Sequence, residues 1–225
     1  MNLIFFDVDT QNDFMNADGA LYVPDAEFLK PILKELTQFA LKNDIPIRGS
    51  VDSHSEEDAE FTVNGGPFPF HCMAGSEGQK KISETLTGKE TYVDDSLSPL
   101  DWGWASGVIC RYSHKGLGDH LIFEKQTYDV MTNQTLQRAK KDLDWRISQK
   151  EVDITAIVYG VATDYCVKAA ALGLRGLGME VCVVEDAIKE ITPEGRIEAF
   201  AEFEKAGIKL VSSKWVFDNC QTASA

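Results

Sequence analysis

The sequence is poor in positive charge and in long hydrophobic segments, and each shortage excludes a class of protein. Lys and Arg number 22 against 36 Asp and Glu, so the formal net charge is −14. Nucleic acids and anionic membranes attract clustered Lys and Arg, and this balance therefore argues against both as partners. No apolar segment reaches the roughly 20 residues that a membrane-spanning helix needs.

Cysteine usage gives no sign of a disulfide framework. The five cysteines are an odd number at long, irregular spacings, whereas disulfide-rich domains carry even numbers in short chains. Met1 leads directly into a strand-like segment, without the charged and apolar regions of a secretory leader. We therefore expect free thiols and a cytoplasmic location.

Short apolar segments alternate with amphipathic ones along most of the 225 residues. Continuous apolar runs are typical of strands buried on both faces of a parallel sheet, and helical spacing of apolar residues indicates the covering layers. The pattern predicts one α/β domain over residues 1–225, a three-layer α/β/α sandwich with a mostly parallel sheet of about six strands. The predicted strands cover residues 2–8, 45–51, 121–125, 154–160, 181–185 and 208–213, and the predicted helices cover 28–40, 79–86, 133–148, 164–176 and 193–206.

Several boundaries carry specific signals. Thr192-Pro193 is a good helix start, with Thr as the N-cap and Pro at the first helical position. Gly176 and Gly207 are expected to end helices. Residues 88–118 have an irregular pattern, with tryptophans and several glycines. We expect an insertion there, with residues 107–112 as a short strand inside it; whether it is a lid, a contact in a homo-oligomer or neither is left open.

Four reactive side chains stand where predicted strands end. Asp9, Asp52 and Lys125 each come at or just after the end of an apolar run, and Cys166 opens the segment after another. The carboxyl ends of parallel strands meet at one edge of a sheet, where open α/β sheets bind their ligands. We therefore expect an acid, a lysine and a thiol to converge on a nucleophilic site.

Cys166 is the candidate nucleophile. If Thr163 is the N-cap, Cys166 is the third helical residue, where free backbone N–H groups favour a thiolate and can hold an oxyanion. Lys125 would stabilise the thiolate, and Asp9 would carry its proton to the leaving group. Asp7 competes with Asp9 for that role, because residues two apart in a strand share a side. The alternatives are a buried, inert thiol and a structural ion pair at the sheet edge.

A second group of side chains is suited to a metal ion. Asp52 and His54 lie two residues apart in an extended segment and so point the same way, and His71 follows in the proline-stiffened run PFPFH. One carboxylate and two imidazoles suit Zn²⁺, Fe²⁺ or Mn²⁺, with open positions for water or substrate. Asp58 and Glu60 are candidates for a further ligand, although acidic loop residues are usually just solvated.

Taken together, these segments resemble the nicotinamidase/pyrazinamidase branch of the isochorismatase-like cysteine hydrolases. The resemblance runs in order from residue 2 to about 212. D-x-Q-N-D-F at 9–14 and G-V-A-T-D-Y-C at 160–166 are specific to the superfamily. D-x-H at 52–54, followed by G-G-P-F-P-F-H at 65–71, points to the nicotinamidases.

The resemblance implies roles for individual residues. Asp9, Lys125 and Cys166 would form the catalytic triad. A cis peptide bond would join Val161 to Ala162, and the N–H groups of Ala162 and Cys166 would form the oxyanion hole. The resemblance further implies metal ligands Asp52, His54 and His71 for one divalent ion (Zn, Fe or Mn), and aromatic pocket walls Phe14, Phe68 and Tyr128, each of which could instead be ordinary core.

Two departures from the family pattern bear on the site. Many relatives have a further histidine several residues after D-x-H, whereas residues 56–60 here read EEDAE, so that an acid or water would take its place. The small-residue run that follows the pocket tyrosine in relatives is here Asp129-Val130-Met131, which leaves the shape of the pocket open.

The expected activity is hydrolysis of nicotinamide to nicotinate and ammonia, and of pyrazinamide, through a cysteine thioester. The partner would be a small neutral amide, and the metal would orient it rather than activate the nucleophile. One rival is another cysteine hydrolase of this fold, acting on a ureido or other small amide and binding no metal. A second rival is a non-catalytic metal- or ligand-binding protein, in which the Cys166 thiol would not be activated.

Overall fold

A central parallel sheet organises the part of the chain that a computed structural model describes, residues 2–94, 120–137 and 153–221. Its strands are β1 (Asn2–Val8), β2 (Ile47–Asp52), β3 (Glu90–Val93), β4 (His120–Lys125), β5 (Ile154–Val161), β6 (Glu180–Lys189) and β7 (Lys209–Val211). These seven strands lie in the order β3-β4-β2-β1-β5-β6-β7, and every neighbouring pair is parallel. The α/β class is confirmed.

Helices flank the sheet. The α-helices in the described ranges are α1 (Asn12–Met15), α2 (Lys30–Lys42), α3 (Lys168–Gly176), α4 (Pro193–Ala206) and α5 (Ser213–Asn219). Short 3-10 segments cover Ala26–Leu29, Thr62–Asn64 and Val130–Thr132, and a single π-helical turn covers Thr163–Val167. None of the helices in the described ranges is long and apolar enough to cross a membrane.

Two hydrophobic layers enclose the sheet, one on each face. Side chains of successive strand residues point to opposite faces, so Phe6 of β1 packs in a cluster with Leu174 of α3 and Phe203 of α4. Phe5 belongs to the other cluster, together with Leu33 of α2 and further residues of α5. Because both faces are covered, β1 and β5 at the centre of the sheet are nearly continuous apolar runs, which is why the sequence pattern revealed them.

The register of the central strands brings their carboxyl ends to one level. Val8 of β1 stands beside Ser50 of β2 and beside Gly160 of β5, and Asp52 stands beside Lys125 of β4. Gly160 has a φ of 118°, and a Cβ there would lie 2.0 Å from the Val8 carbonyl oxygen. Only glycine fits this close approach of two backbones beside the site.

Several sequence predictions need correction. The sheet has a seventh strand, β3, inside the stretch expected to be irregular. Residues 79–86 form no helix; they run alongside residues 10–12, with Ile82 N–H donating to the Thr10 carbonyl at 2.9 Å. The helix predicted over 164–176 begins as the π-helical turn Thr163–Val167 and becomes α-helical only at Lys168; it ends at Gly176 as predicted, and Gly178 beyond it takes the left-handed conformation at φ 84°. The last predicted strand ends at Val211, because the Ser212 hydroxyl caps α5.

Other boundaries follow the predicted signals. Thr192 is the N-cap of α4, with its hydroxyl accepting from Gly195 N–H at 3.0 Å, and Gly207 ends that helix at φ 71°. The short strand expected at 107–112 lies outside the described residues, as do most of the insertion at 88–118 and of the helix at 133–148.

Candidate active site

The predicted reactive residues lie together at the carboxyl end of the sheet. Asp9 follows β1 directly and has a φ of 46°, which turns the chain out of the strand. Asp52 and Lys125 are the last residues of β2 and β4. Cys166 lies in the turn that leaves β5. The topology thus delivers all four side chains to one edge from four different strands.

A carboxylate, an ammonium group and a thiol are in contact there. Lys125 Nζ lies 2.8 Å from Asp9 Oδ2 and 3.7 Å from Cys166 Sγ. The Ser50 hydroxyl donates to the other oxygen of Asp9 at 2.7 Å. Asp9 and Lys125 are almost completely buried, and Cys166 keeps 9% of its surface exposed. Water is therefore largely excluded from the ion pair, while the sulfur retains access to a ligand.

Asp7, the competing acid, belongs to a different cluster. Its Oδ2 accepts from Lys81 Nζ at 2.6 Å and its Oδ1 accepts from the Thr10 hydroxyl at 2.9 Å. Strand alternation alone did not separate Asp7 from Asp9. The structure separates them because the turn at Asp9 directs its carboxylate toward Lys125.

Asp52 joins the cluster around Lys125 to the histidines. One of its oxygens accepts from Lys125 Nζ, and the other lies 3.7 Å from His54 Nε2 and 3.5 Å from His71 Nε2. The Gln11 side chain clamps the backbone of this residue: Gln11 Oε1 accepts from Asp52 N–H at 2.7 Å, and Nε2 donates to the Asp52 carbonyl at 2.8 Å. Sequence reasoning used Gln11 only as a motif landmark and missed this contact.

The charges of the cluster shift the pKa values of its members. Burial raises the pKa of Asp9, and the opposing attraction of Lys125 does not fully cancel this effect. Burial would also raise the pKa of Asp52, but there the Lys125 ammonium prevails and the pKa is lowered. Burial would lower the pKa of Lys125, yet attraction to Asp52 and Asp9 raises it well above its usual value. Lys125 is therefore a permanent cation.

The pKa of the Cys166 thiol differs from the expectation, because a position at a helix start was expected to lower it. Burial raises the pKa of Cys166 well above its usual value, and the opposing attraction of Lys125 is too weak to reverse this. Nearby Asp9 and Asp52 add to the rise because they repel a thiolate. The resting thiol is thus neutral, and to act as a nucleophile it would need an adjacent base to take its proton. Asp9, whose own pKa is raised, lies within reach.

The turn that carries Cys166 is wound more loosely than predicted. Thr163 is the first residue of the π-helical turn rather than its N-cap, which is Ala162, so Cys166 is the fourth residue and not the third. The Ala162 carbonyl accepts from the N–H groups on both sides of Cys166, those of Tyr165 at 3.1 Å and Val167 at 3.0 Å. The peptide bond from Val161 to Ala162 is cis, as the resemblance implied.

Four side chains form a cluster that could hold a metal ion. Each of Asp52, His54, Glu60 and His71 offers one ligand atom, and these four atoms lie within 4.8 Å of one another. Glu60 Oε2 is 3.6 Å from His54 Nε2. Ligand atoms about 2.0–2.2 Å from one metal ion would lie roughly 3–4 Å apart, which agrees with these separations.

Both imidazoles are oriented by their other nitrogen. Asp58 Oδ2 lies 2.8 Å from His54 Nδ1, and the Pro69 carbonyl lies 2.8 Å from His71 Nδ1. Such partners direct Nε2 to a metal in histidine sites. His54 Nε2 is buried and has no hydrogen-bond partner. Of the two further acids considered from sequence, Glu60 therefore lies among the candidate ligands, and Asp58 lies behind His54, one of them.

The donor set fits a divalent ion such as Zn²⁺, Fe²⁺ or Mn²⁺. Two carboxylates and two imidazoles suit these metals, and a buried imidazole nitrogen without a partner is unfavourable unless a ligand fills the position. Burial would lower the pKa of His54, but the surrounding acids, Asp52 first, raise it. The cluster thus attracts a positive charge, whether a proton or a metal ion.

A pocket of about 380 Å³ opens beside both groups. The predicted aromatic residues Phe14, Phe68 and Tyr128 all line it, together with Cys166 and Ala162. Sequence reasoning missed Tyr165, which directly precedes the cysteine, and the aliphatic residues Leu21, Val23 and Ile191, which come from loops without a periodic signal. The remaining lining residues are Asp52, Glu60, His71 and Val161.

Comparisons with known proteins reveal relatives that span most of the chain. The Isochorismatase domain family model matches residues 104–214. A nicotinamidase of Escherichia coli (strain K12) is 28% identical over 220 residues, covering 90% of this chain and 91% of the relative. A nicotinamidase of Saccharomyces cerevisiae is 23% identical and covers 84% of this chain and 89% of its own.

Solved structures of pyrazinamidases and nicotinamidases resemble this fold over nearly the whole chain. The pyrazinamidase of Pyrococcus horikoshii in complex with zinc has a TM-score of 0.67 and 28% identity, covering 94% of this chain and 99% of its own. A nicotinamidase from Bacillus subtilis has a TM-score of 0.66 at 22% identity, covering 94% of this chain and 100% of its own, and supports the fold alone. The chain is thus similar to nicotinamidases and pyrazinamidases over most of its length and carries a match to the Isochorismatase domain, and these likenesses indicate an amide-hydrolysing enzyme.

Proposed function

We propose that this enzyme hydrolyses nicotinamide to nicotinate and ammonia, and pyrazinamide to the corresponding acid. The observation that carries the proposal is the single carboxylate of Asp52, which joins the Lys125 cluster to the histidine cluster beside one pocket. A small heteroaromatic amide could place its amide carbon near Cys166 and, at the same time, its ring nitrogen near the histidines. Nicotinate feeds NAD salvage, and we place the activity there, in the cytoplasm.

The proposed reaction begins with proton transfer from the Cys166 thiol to Asp9. The sulfur attacks the carboxamide carbon, and the negative charge that develops on the oxygen is held by the N–H groups of Ala162 and Cys166. Asp9 then gives its proton to the departing nitrogen, which leaves as ammonia and generates a thioester. Asp9 next takes a proton from water, the hydroxide attacks the thioester carbon, and nicotinate leaves as the proton returns to the sulfur.

Lys125 compensates charge through the cycle. Its ammonium group contacts both Asp9 and Cys166, so it stabilises whichever of the two carries the negative charge. Because its pKa is raised well above the usual value, it stays protonated and gives no proton away. Its role is electrostatic, which agrees with the complete burial of its ammonium group.

The metal cluster would serve substrate binding. Asp52, His54, Glu60 and His71 would hold one divalent ion, which would supply a Lewis acid for the ring nitrogen of the substrate. The aromatic residues of the pocket would pack against the ring. A neutral substrate also suits the net charge of −14, since no electrostatic steering is needed.

Ammonia release from a panel of amides tests the proposal. We expect nicotinamide and pyrazinamide to react, and benzamide, which has the same ring shape but no ring nitrogen, to react at least about 10²-fold more slowly in kcat/KM. A chelator should remove most of the preference for nicotinamide over benzamide. Preferential hydrolysis of a ureido substrate, with no dependence on metal, would favour the rival cysteine hydrolase.

Cys166→Ala tests the mechanism in the same assay. We expect kcat to fall by at least roughly 10⁴-fold, because the thioester cannot form. Cys182→Ala, which removes another buried free thiol on β6, should leave kcat unchanged. Residual activity of Cys166→Ala near the wild-type value would refute a thioester route.

A further inference from the structure

One member of the proposed metal cluster, Glu60, also fastens both aromatic walls of the pocket. Its backbone carbonyl accepts from Phe68 N–H at 3.0 Å. Its side-chain Oε1 accepts from Tyr128 N–H at 2.8 Å. The other oxygen, Oε2, lies 3.6 Å from His54 Nε2 and faces the metal cluster. The two carboxylate oxygens of Glu60 therefore have different partners.

Phe68 and Tyr128, the two residues that Glu60 holds, are joined through Tyr165 into a continuous row of aromatic rings. The Phe68 and Tyr165 rings meet edge-on at 5.7 Å, and the Tyr128 and Tyr165 rings meet edge-on at 6.1 Å. All three rings line the pocket, and Tyr165 directly precedes the nucleophile Cys166. Tyr128 is 49% exposed, so packing alone fixes it weakly. Its backbone hydrogen bond to Glu60 is the contact that ties it to the metal cluster.

The chemistry of a carboxylate is what permits this arrangement. A carboxylate has two oxygens that both accept, so one can face a cation while the other holds an N–H group. A neutral imidazole that gives one nitrogen to a metal has only an N–H donor left, and it cannot accept from Tyr128 N–H. We propose that Glu60 is a positioning residue that couples the metal site to the Tyr128 wall, so that metal loading and ring binding share one side chain. The proposal rests on the proposed metal site and deepens the proposed function.

Two substitutions at Glu60 separate its two functions. Glu60→Gln keeps an oxygen acceptor for Tyr128 N–H but removes the negative charge that faces the metal. Glu60→His offers the metal a nitrogen but has no acceptor for Tyr128 N–H. The readouts are zinc affinity by competition with a chromophoric chelator, nicotinamide KM and kcat at saturating zinc, and hydrogen exchange of the Tyr128 amide by NMR.

For Glu60→His at saturating zinc we expect KM to rise roughly fivefold to tenfold, the effect of losing one hydrogen bond, with kcat changed by less than about twofold. The Tyr128 amide should exchange at least about tenfold faster. For Glu60→Gln we expect KM and amide exchange within about twofold of wild type, and zinc affinity at least about tenfold weaker. This crossed pattern would not arise if Glu60 merely stabilised the fold.

The proposal is overturned if Glu60→His keeps wild-type KM and amide exchange at saturating zinc, or if Glu60→Gln loosens the Tyr128 amide as much as Glu60→His does. Should Glu60→His not fill with zinc, Glu60→Ala decides by amide exchange alone. A fast Tyr128 amide in Glu60→Ala supports the tether, and a protected one refutes it. Amide exchange needs no turnover, so failure of the tether is distinguishable from failure of nicotinamide hydrolysis.

Discussion

Two buried lysine–aspartate clusters lie at the carboxyl end of β1, and they differ in how their charges are balanced. In the Lys81 cluster, the ammonium group contacts Asp7 at 2.6 Å and the Thr10 hydroxyl at 2.8 Å. In the Lys125 cluster, one ammonium group faces the two carboxylates of Asp9 and Asp52 as well as a thiol. The first cluster is neutral, whereas the second carries an excess negative charge.

The difference separates an ion pair with a structural role from the one that we propose to be reactive. The Lys81 pair joins the strap at residues 79–85 to β1, and neither of its charged residues lines the pocket. In the Lys125 cluster, Asp52 and Cys166 both line the pocket, and burial, with a smaller contribution from the negative charge of Asp52, leaves Asp9 with a raised pKa. In the Lys125 cluster, Asp9 could accept a proton while Lys125 stays paired with Asp52.

Replacing each lysine by methionine, which is similar in length, should give the largest contrast. Lys125→Met should lower kcat/KM by at least roughly 10³-fold, because the charge that stabilises the thiolate is lost. Lys81→Met should lower the free energy of unfolding by about 3–5 kcal/mol, because the Asp7 carboxylate stays buried without its partner. Activity per folded molecule should change little in Lys81→Met. Urea denaturation and steady-state kinetics measure the two effects, and equal kinetic losses in both variants would abolish the distinction.

The stability that a bound metal adds should depend on the site beside the Lys125 cluster and not on the Lys81 cluster. Zinc at about 100 times its dissociation constant should stabilise the wild type by about 2.7 kcal/mol, since only the folded state forms the site. Lys81→Met should retain this increment, and His54→Ala should lose most of it. Thermal unfolding with and without zinc measures the increment, with the apo protein of each variant as its control. Full zinc stabilisation of His54→Ala would exclude this residue as a ligand.

The smallest effects should come from removing one hydroxyl from each cluster. Thr85 Oγ lies 2.8 Å from Thr10 Oγ in the Lys81 cluster, and Ser50 Oγ donates to Asp9. Thr85→Val and Ser50→Ala should each lower the free energy of unfolding by about 1 kcal/mol. Only Ser50→Ala should change kcat, because it alone alters the proposed base. Stability curves and kinetics for both variants would show whether the two hydroxyls differ; a lowered kcat in Thr85→Val would argue against a purely structural Lys81 cluster.

Local patterns in the sequence predicted the parts of the fold that depend on local chemistry. The strands at 2–8 and 154–160 are largely apolar on both faces, so the sequence alone predicted that they are buried. The start and stop of α4 carried a cap and a glycine of the expected kinds. The four-residue β3 and the strap at 79–85 have no such signal, because their conformation depends on pairing with distant segments.

Loop paths decided the parts of the site that spacing left open. The segment EEDAE contains four acids with nothing in their spacing to rank them. The pairing of Phe61 with Phe68 folds this loop back on itself and brings Glu60 to the histidines, while Asp58 goes to the rear of His54. The pKa of Cys166 likewise follows from its burial among charges, which a helix-start argument does not include.

The order of side chains along the polypeptide was enough to establish which chemical groups this enzyme has and that they gather at one edge of a parallel sheet, because strand direction and burial are written in short-range patterns. Only the tertiary structure decided which acid serves which cation, and that one carboxylate is shared by both halves of the site. Those choices depend on distances of a few ångströms between segments far apart in the chain, and short-range patterns carry no information about them.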